Sequence, residues 1–250
     1  MSSYVKNILI ILLIVLFASG GLVLSRNLFI DDTTTSQVVD YSKLTMNCLG
    51  DSITYGLDVT KDTTQALANP YPKLLKKELG LANVRNYGIS GSTLTSVHAN
   101  RDAMSLRYKS MSSNADIVSV LGGVNDYWLG DIQLGTIDDT TTTTIYGALN
   151  VLAKGLKEKY PNAYIFFMTP YKWGNDSGTN ALGFTLLDIS NAIKKVCSVH
   201  KIDVLDLYTY GQIELDFTSP NSDKLHPTQE FYEKYTAPQI AQFIKDNYKK

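Results

Sequence analysis

Hydrophobic and polar positions divide the chain into an apolar leader, a polar connector and a long alternating remainder. From Ile8 to Ala18 eleven consecutive residues are apolar, and after Ser19-Gly20-Gly21 the run resumes as Leu22-Val23-Leu24, so Ile8–Leu24 is a stretch of 17 residues without a charge, with Lys6 before it and Arg26 after. A near-uniform Ile/Leu run has no polar face and does not read as a surface helix of a globular domain. Its length lies between a signal-peptide core and a spanning helix. Because apolar residues continue past the small Ala18-Ser19-Gly20 site, residues 1–26 read as an uncleaved membrane anchor, with a cleaved signal peptide as the alternative. Either way the chain goes to a membrane and the remainder is expected to face outward. Residues 27–42, with Asp31-Asp32-Thr33-Thr34-Thr35-Ser36, show neither period and read as a tether.

Beyond residue 43 short β-type runs alternate with helical spacing, the pattern of parallel βαβ units. Strands are expected at Leu44–Leu49, Val84–Ile89, Ile117–Leu121, Tyr164–Met168 and Val204–Leu207. Helices are expected at Tyr71–Leu79, closed by Gly80, around Leu94–Tyr108, at Thr144–Tyr160 stopped by Pro161, at Leu182–His200 and at Gln229–Asn247. Five strands with helices between them make an open three-layer α/β/α sandwich, and residues 43–250 read as one domain.

Composition narrows the function. The chain has 23 Lys+Arg against 24 Asp+Glu, a formal net charge of -1 and no basic run, so nucleic acid is not an expected partner. Residues 1–26 hold only Lys6 and Arg26 of those charges, which leaves 21 basic and 24 acidic residues, or -3, in the rest. Cys48 and Cys197 make neither a disulfide framework nor a C-x-x-C site. With three histidines, His98, His200 and His226, no His-rich metal site is expected, and no cofactor is implied.

In an open parallel sheet the reactive groups gather beyond the carboxyl ends of the strands. Here those ends carry Gly50-Asp51-Ser52, Asn86-Tyr87-Gly88-Ile89-Ser90-Gly91-Ser92, Gly122-Gly123-Val124-Asn125-Asp126 and Asp223-Lys224-Leu225-His226-Pro227. These parts suit acyl transfer. A serine hydroxyl needs an imidazole to take its proton, and a carboxylate on the far ring nitrogen fixes the tautomer. Asp223 stands three residues before His226, so one turn can bring it to Nδ1 and leave Nε2 for Ser52. The backbone N–H groups of Ser52 and Gly91 and the Asn125 amide are candidate oxyanion donors.

These four ordered blocks resemble the SGNH or GDSL hydrolases, a family of esterases and lipases, over about residues 44–247. The resemblance implies Ser52 as nucleophile, His226 as base, Asp223 as its orienting acid, Gly91 with Asn125 in the oxyanion hole, and a flavodoxin-like sheet in the order 2-1-3-4-5. Gly123-Val124-Asn125-Asp126 keeps the four-residue Gly-x-Asn-Asp form.

Competing readings attach to each residue. Serine commonly caps helices, so Ser52 alone carries little. His200 ends a helix, where positive charge suits the dipole, and His98 reads as solvated. Asp51 and Asp126 read as local hydrogen-bond partners. The cysteines read as small apolar fillers, with a bridge left open. Thr140–Thr144 reads as a loop and helix cap. Tyr127, Trp128 and Trp173 follow strands and are candidates for stacking on a sugar or packing on an acyl chain; anchoring their own loops is the alternative. The expected function is a serine esterase deacylating a carbohydrate or small ester outside the cell. The alternatives are a lysophospholipase-like activity, an acyltransferase, or a tethered binding module without turnover.

Overall fold

The computed structural model describes residues 39–61, 65–174, 178–219 and 222–249. Five parallel strands, β1 (Thr45–Gly50), β2 (Asn83–Gly88), β3 (Ile117–Leu121), β4 (Tyr164–Met168) and β5 (Asp203–Leu205), lie in the order 2-1-3-4-5. The expected sheet is therefore present, and β3 and β4 occupy the expected residues. Side chains alternate between its faces, as a pleated strand requires. Val118, Val120, Ile165 and Phe167 enter one apolar cluster, and Met46, Cys48, Ile117, Phe166 and Met168 enter the other.

Helices cover both faces. In chain order they are α1 (Ser52–Tyr55), α2 (Tyr71–Leu79), α3 (Met104–Arg107), α4 (Val124–Leu129), α5 (Ile145–Lys159), α6 (Leu186–His200), α7 (Leu207–Tyr210), α8 (Gln229–Phe231) and α9 (Ala237–Asn247). On α5, Ile145, Leu149, Leu152 and Leu156 form the buried stripe that the sequence spacing anticipates. Thr144 caps its start by accepting from Gly147 N–H. A buried stripe on α9, Ile240, Ala241 and Ile244, faces the opposite cluster together with Leu75 and Leu79 of α2.

Three expectations need correction. The stretch Leu94–Tyr108 is not a helix until α3, because the buried Asp126 carboxylate captures the N–H groups of Leu94 and Thr95 at 2.8 and 3.0 Å. Asp102 then adopts a left-handed φ of 46°. The helix expected from Leu182 starts at Leu186, where Thr185 and Asp188 form a reciprocal capping box. The closing helix is interrupted by a π-turn at Tyr232–Thr236, immediately ahead of Pro238, whose ring nitrogen cannot donate.

Residues 39–250 form one compact unit, so Val39–Ser42, at the end of the stretch read as a tether, pack with the domain; Tyr41 sets its ring 6.1 Å from that of Tyr248. The membrane segment expected at 1–26 and the rest of the expected tether lie outside the described residues. Among the described residues no helix is long and apolar enough to cross a membrane. Cys48 and Cys197 are free thiols in different apolar clusters, which rules out the bridge between them.

Gly50 and Gly88 stand opposite each other in the β1–β2 register. A Cβ on Gly50 would lie 1.9 Å from Thr54 Oγ1, and one on Gly88 would lie 2.1 Å from Tyr55 N. The bare strand ends are what let α1 fold back onto the sheet. Gly88→Ala is expected to cost about 2–3 kcal/mol through forced backbone shifts, read from urea unfolding. A loss under about 0.5 kcal/mol would show that α1 is not pressed against β2.

Candidate active site

Asp51, not Ser52, is the cap of α1: its Oδ1 accepts from Ile53 N–H at 3.0 Å. The serine hydroxyl is thereby left for other work. α1 lasts one turn because Gly56 takes a φ of 83° and donates to Ser52 O. Tyr71 and Tyr232 hold this turn from behind. The Tyr71 hydroxyl lies 3.0 Å from Thr54 Oγ1, and the Tyr232 hydroxyl donates to Ile53 O at 2.6 Å.

Ser52 Oγ lies 2.8 Å from His226 Nε2, and His226 Nδ1 lies 2.7 Å from Asp223 Oδ2. A carboxylate only accepts, so the imidazole proton sits on Nδ1 and the Nε2 lone pair faces the serine. The other Asp223 oxygen accepts from the N–H groups of Leu225 and His226, at 3.0 and 2.7 Å, which winds the acid and the histidine into one turn. Lys224 supplies the left-handed residue in that turn, with a φ of 65°. Burial alone would raise the Asp223 pKa; the ring and backbone bonds from His226 outweigh it and hold the carboxyl below its ordinary range. Asp216 fixes the segment beyond, accepting from Thr228 N–H and Oγ1 at 2.8 and 2.7 Å.

The expected donors come to the same sheet edge. Ile89–Ser92 is a β-turn closed by Ser92 N–H on Ile89 O, with Gly91 at its third position and a φ of 77°, where a side chain would be strained. Among the described residues neither Ser52 N–H nor Gly91 N–H has a hydrogen-bond partner. Asn125 spends one amide hydrogen on Ser92 O at 2.9 Å and keeps the second.

Beneath the site lie two fully buried acids. Burial pushes Asp126 up to about 6 despite its bonds from Leu94 and Thr95. Burial likewise pushes Asp51 up to about 6, against the Ile53 N–H bond that lowers it. Asp51 is the local hydrogen-bond partner expected, whereas Asp126 is a correction, since its donors lie on the loop after β2, far from it in sequence.

The aromatic candidates divide. Trp128 is half-exposed and meets Trp173 edge to face, with ring centroids 4.3 Å apart. Gly174, beside Trp173, donates its N–H to Lys224 O and so joins this rim to the Asp223–His226 turn. Tyr127 is a correction: one step round α4 from Trp128, it is buried in the core and donates to Gly178 O at 2.8 Å. His98 pairs with Asp131 at 3.0 Å instead of being free in solvent. His200 lies 2.9 Å from Asn150 Oδ1, and burial and then Lys157 lower its pKa, so the neutral ring is favoured over the dipole-paired cation. No cluster of three metal-ligating side chains occurs among the described residues. Two residues escaped the sequence reading, Arg107 and Asp216; both act on backbone groups, and such contacts leave no spacing signal.

Five parallel strands in the order 2-1-3-4-5 with helices on both faces make a flavodoxin-like three-layer α/β/α sandwich, with Ser52, His226 and Asp223 in contact at the carboxyl edge of its sheet. The chain belongs to the GDSL-like lipase/acylhydrolase family, whose model matches residues 48–234, and is an ester hydrolase. A Lactobacillus plantarum protein of known structure is 30% identical, with 83% of this chain and 99% of that one covered and a TM-score of 0.71. Two more distant structures share the fold. They are a carbohydrate acetylesterase family member from Sinorhizobium meliloti (17% identity, 81% and 98% coverage, TM-score 0.57) and the M. smegmatis aryl esterase (16%, 81% and 99%, 0.59). No curated protein matches the sequence significantly.

The raised Asp51 pKa has a thermodynamic sign. Folding holds the Asp51 proton more tightly than the unfolded chain does, so the associated stability is full below about pH 4 and lost as pH rises through about 6. Asp51→Asn keeps the acceptor for Ile53 and removes the titration. Between pH 4 and pH 7.5 its stability relative to wild type is expected to improve by about 1–3 kcal/mol, measured by denaturant unfolding at both values. An unchanged difference would return Asp51 to an ordinary carboxyl.

Proposed function

We propose that Ser52 is the nucleophile of an acyl-enzyme mechanism, with His226 as general base and Asp223 as its orienting acid. The observation that carries this reading is the unbroken relay of 2.8 and 2.7 Å contacts from Ser52 Oγ through both ring nitrogens to Asp223. His226 Nε2 takes the hydroxyl proton as Oγ bonds to the ester carbonyl carbon. Asp223 stabilises the imidazolium, and the carbonyl oxygen gathers charge facing Ser52 N–H, Gly91 N–H and the free Asn125 hydrogen. Collapse of this adduct expels the alcohol, which takes the proton from His226. Water, activated by the same ring, then releases the acid.

The substrate in this reading is a short acyl ester of a carbohydrate or another small alcohol. The exposed Trp128–Trp173 edge supports it, since aromatic faces at a site mouth suit sugar rings. The Sinorhizobium meliloti neighbour, a carbohydrate acetylesterase family member, adds support through its shared fold. The Ile8–Leu24 run between Lys6 and Arg26 supports a membrane-anchored enzyme working outside the cell. Alkaline extraction of membranes should leave an anchored chain in the pellet, and recovery in the supernatant counts against the anchor.

With the full-length protein and p-nitrophenyl acetate, Ser52→Ala should lower kcat by at least ~10³-fold, and Asp223→Asn by roughly 10²–10⁴-fold with substrate binding kept. Absence of wild-type turnover on every short acyl ester, with no fluorophosphonate label on Ser52, would sink the reading. A loss of threefold or less in Asp223→Asn would move the acid elsewhere. On a panel of acetylated sugars and simple acyl esters of graded length, Trp128→Ala should raise KM for the sugars about tenfold and leave the simple esters within twofold. Equal effects on both classes, or a preference for long acyl chains, would remove the carbohydrate assignment and favour a lipid substrate.

A further inference from the structure

We propose that Arg107 is the positioning residue of the oxyanion hole, an inference that rests on the triad reading above. The three donors stand on separate segments, Ser52 at the start of α1, Gly91 in its turn and Asn125 in α4, and the backbone bond from Ile89 N–H to Gly50 O at 3.0 Å ties the first two at only one point. Something must hold them in register. The Arg107 guanidinium is where they meet. Its Nη2 donates to Gly50 O at 2.5 Å, one peptide before the Asp51-Ser52 turn, and its Nη1 donates to Tyr87 O at 2.6 Å, at the end of β2. Its Nε donates to Asp102 O at 2.8 Å. Nη2 and Nε also reach Ser92 Oγ, at 3.0 and 3.3 Å, and that hydroxyl donates to Asp102 O at 2.7 Å.

Ser92 is the link to the donors themselves. Its carbonyl takes one hydrogen of the Asn125 amide, which directs the other, and its N–H closes the turn that carries Gly91. One planar cation therefore ties the segment before Ser52, the turn of Gly91 and, through Ser92, the Asn125 side chain. Arg107 makes no ion pair among the described residues; its acceptors are three backbone carbonyls and a hydroxyl. A guanidinium spans acceptors on separate strands with a fixed fork, which a lysine ammonium at the end of a flexible stem cannot do. The Asp102 and Asp51 carboxylates act on it only at longer range, without a contact pair. The arrangement of donors points instead to backbone alignment.

The full-length Arg107→Lys and Arg107→Ala variants test this. For p-nitrophenyl acetate, kcat should fall about 10²–10³-fold, the range for losing one oxyanion donor, with KM within threefold. Guanidinium at tens of millimolar should restore Arg107→Ala at least fivefold and leave Arg107→Lys unchanged. Hydrogen exchange read by mass spectrometry should quicken in peptides spanning 88–95 and 122–127 in Arg107→Lys, with the β3 and β4 peptides unaltered. Arg85 provides the control. Its guanidinium also holds a backbone carbonyl, Asn114 O at 2.7 Å, but on the loop leading into β3 at the far end of the sheet, so Arg85→Gln should keep kcat within twofold. Where the Arg107 variants fail to fold, Ser92→Ala removes the shared hydroxyl and should cost about 5–30-fold in kcat. A folded Arg107→Lys with kcat within threefold of wild type, or with unaltered exchange at 88–95, overturns the proposal, as does a Ser92→Ala loss below twofold. An inactive wild type would instead overturn the triad reading, and the exchange measurement would still decide whether Arg107 aligns these loops.

Discussion

Ser52 Oγ and His226 Nε2 lie 2.8 Å apart although 174 residues separate them in the chain. A hydrogen bond weakens steeply over a few tenths of an ångström, so every element between the two must be placed to that tolerance. On the serine side the tolerance comes from close approach: with no Cβ at Gly50 or Gly88, the α1 turn is set by contact with two strand ends. On the histidine side it comes from hydrogen bonds. Asp216 holds Thr228, Asn69 and Gln229 exchange two bonds at 3.0 Å, and Tyr232 reaches across to Ile53 O in the serine turn itself. The closing helical segment thus locks onto the first, which is why residues far apart in sequence arrive in register.

The same edge of the sheet buries polar groups that cost stability when unpaired. Asp126, buried between the second and third strand loops, receives three donors from Leu94 and Thr95. Arg107, largely buried, gives its donors to backbone carbonyls. Side chains here perform the task that a ladder or helix performs elsewhere, satisfying backbone groups of an irregular segment. That substitution explains how residues 89–103 stay ordered with little regular structure, and why they are free to present Gly91 at a positive φ.

Most of the fold was legible because it obeys periodicity. The near-continuous apolar runs Ile117–Leu121 and Tyr164–Met168, buried on both faces of the sheet, and the helical spacing from Ile145 to Leu156, which makes one buried stripe, each appear where the pattern puts them. The three residues of the proposed triad were legible for a different reason: Asp223 and His226 are local partners, and Ser52 follows a strand-ending glycine. The errors lie where tertiary contacts override local pattern. Leu94–Tyr108 carries helix-compatible residues, but a carboxylate remote in sequence claims its backbone. Tyr127 and Trp128 are adjacent and alike in composition, and only the direction of α4 decides that one is core and the other rim.

Two aspartates flank the reacting pair, and their environments divide the work between them. Asp51 is fully buried with a single backbone donor on one oxygen and no partner on the other, so burial dominates and lifts it to about 6. Asp223 accepts from two backbone N–H groups and the imidazole, which outweigh its partial burial and keep it below the ordinary range. The acid that stabilises the imidazolium in the proposed mechanism is therefore the one that remains charged through mildly acidic and neutral conditions. The other, covalently next to Ser52, becomes neutral as pH falls and still accepts from Ile53 N–H through its carbonyl oxygen. In the proposed mechanism opposed shifts of this kind divide two chemically identical groups: Asp223 supplies constant charge to the ring, and Asp51 supplies shape to the turn that carries Ser52.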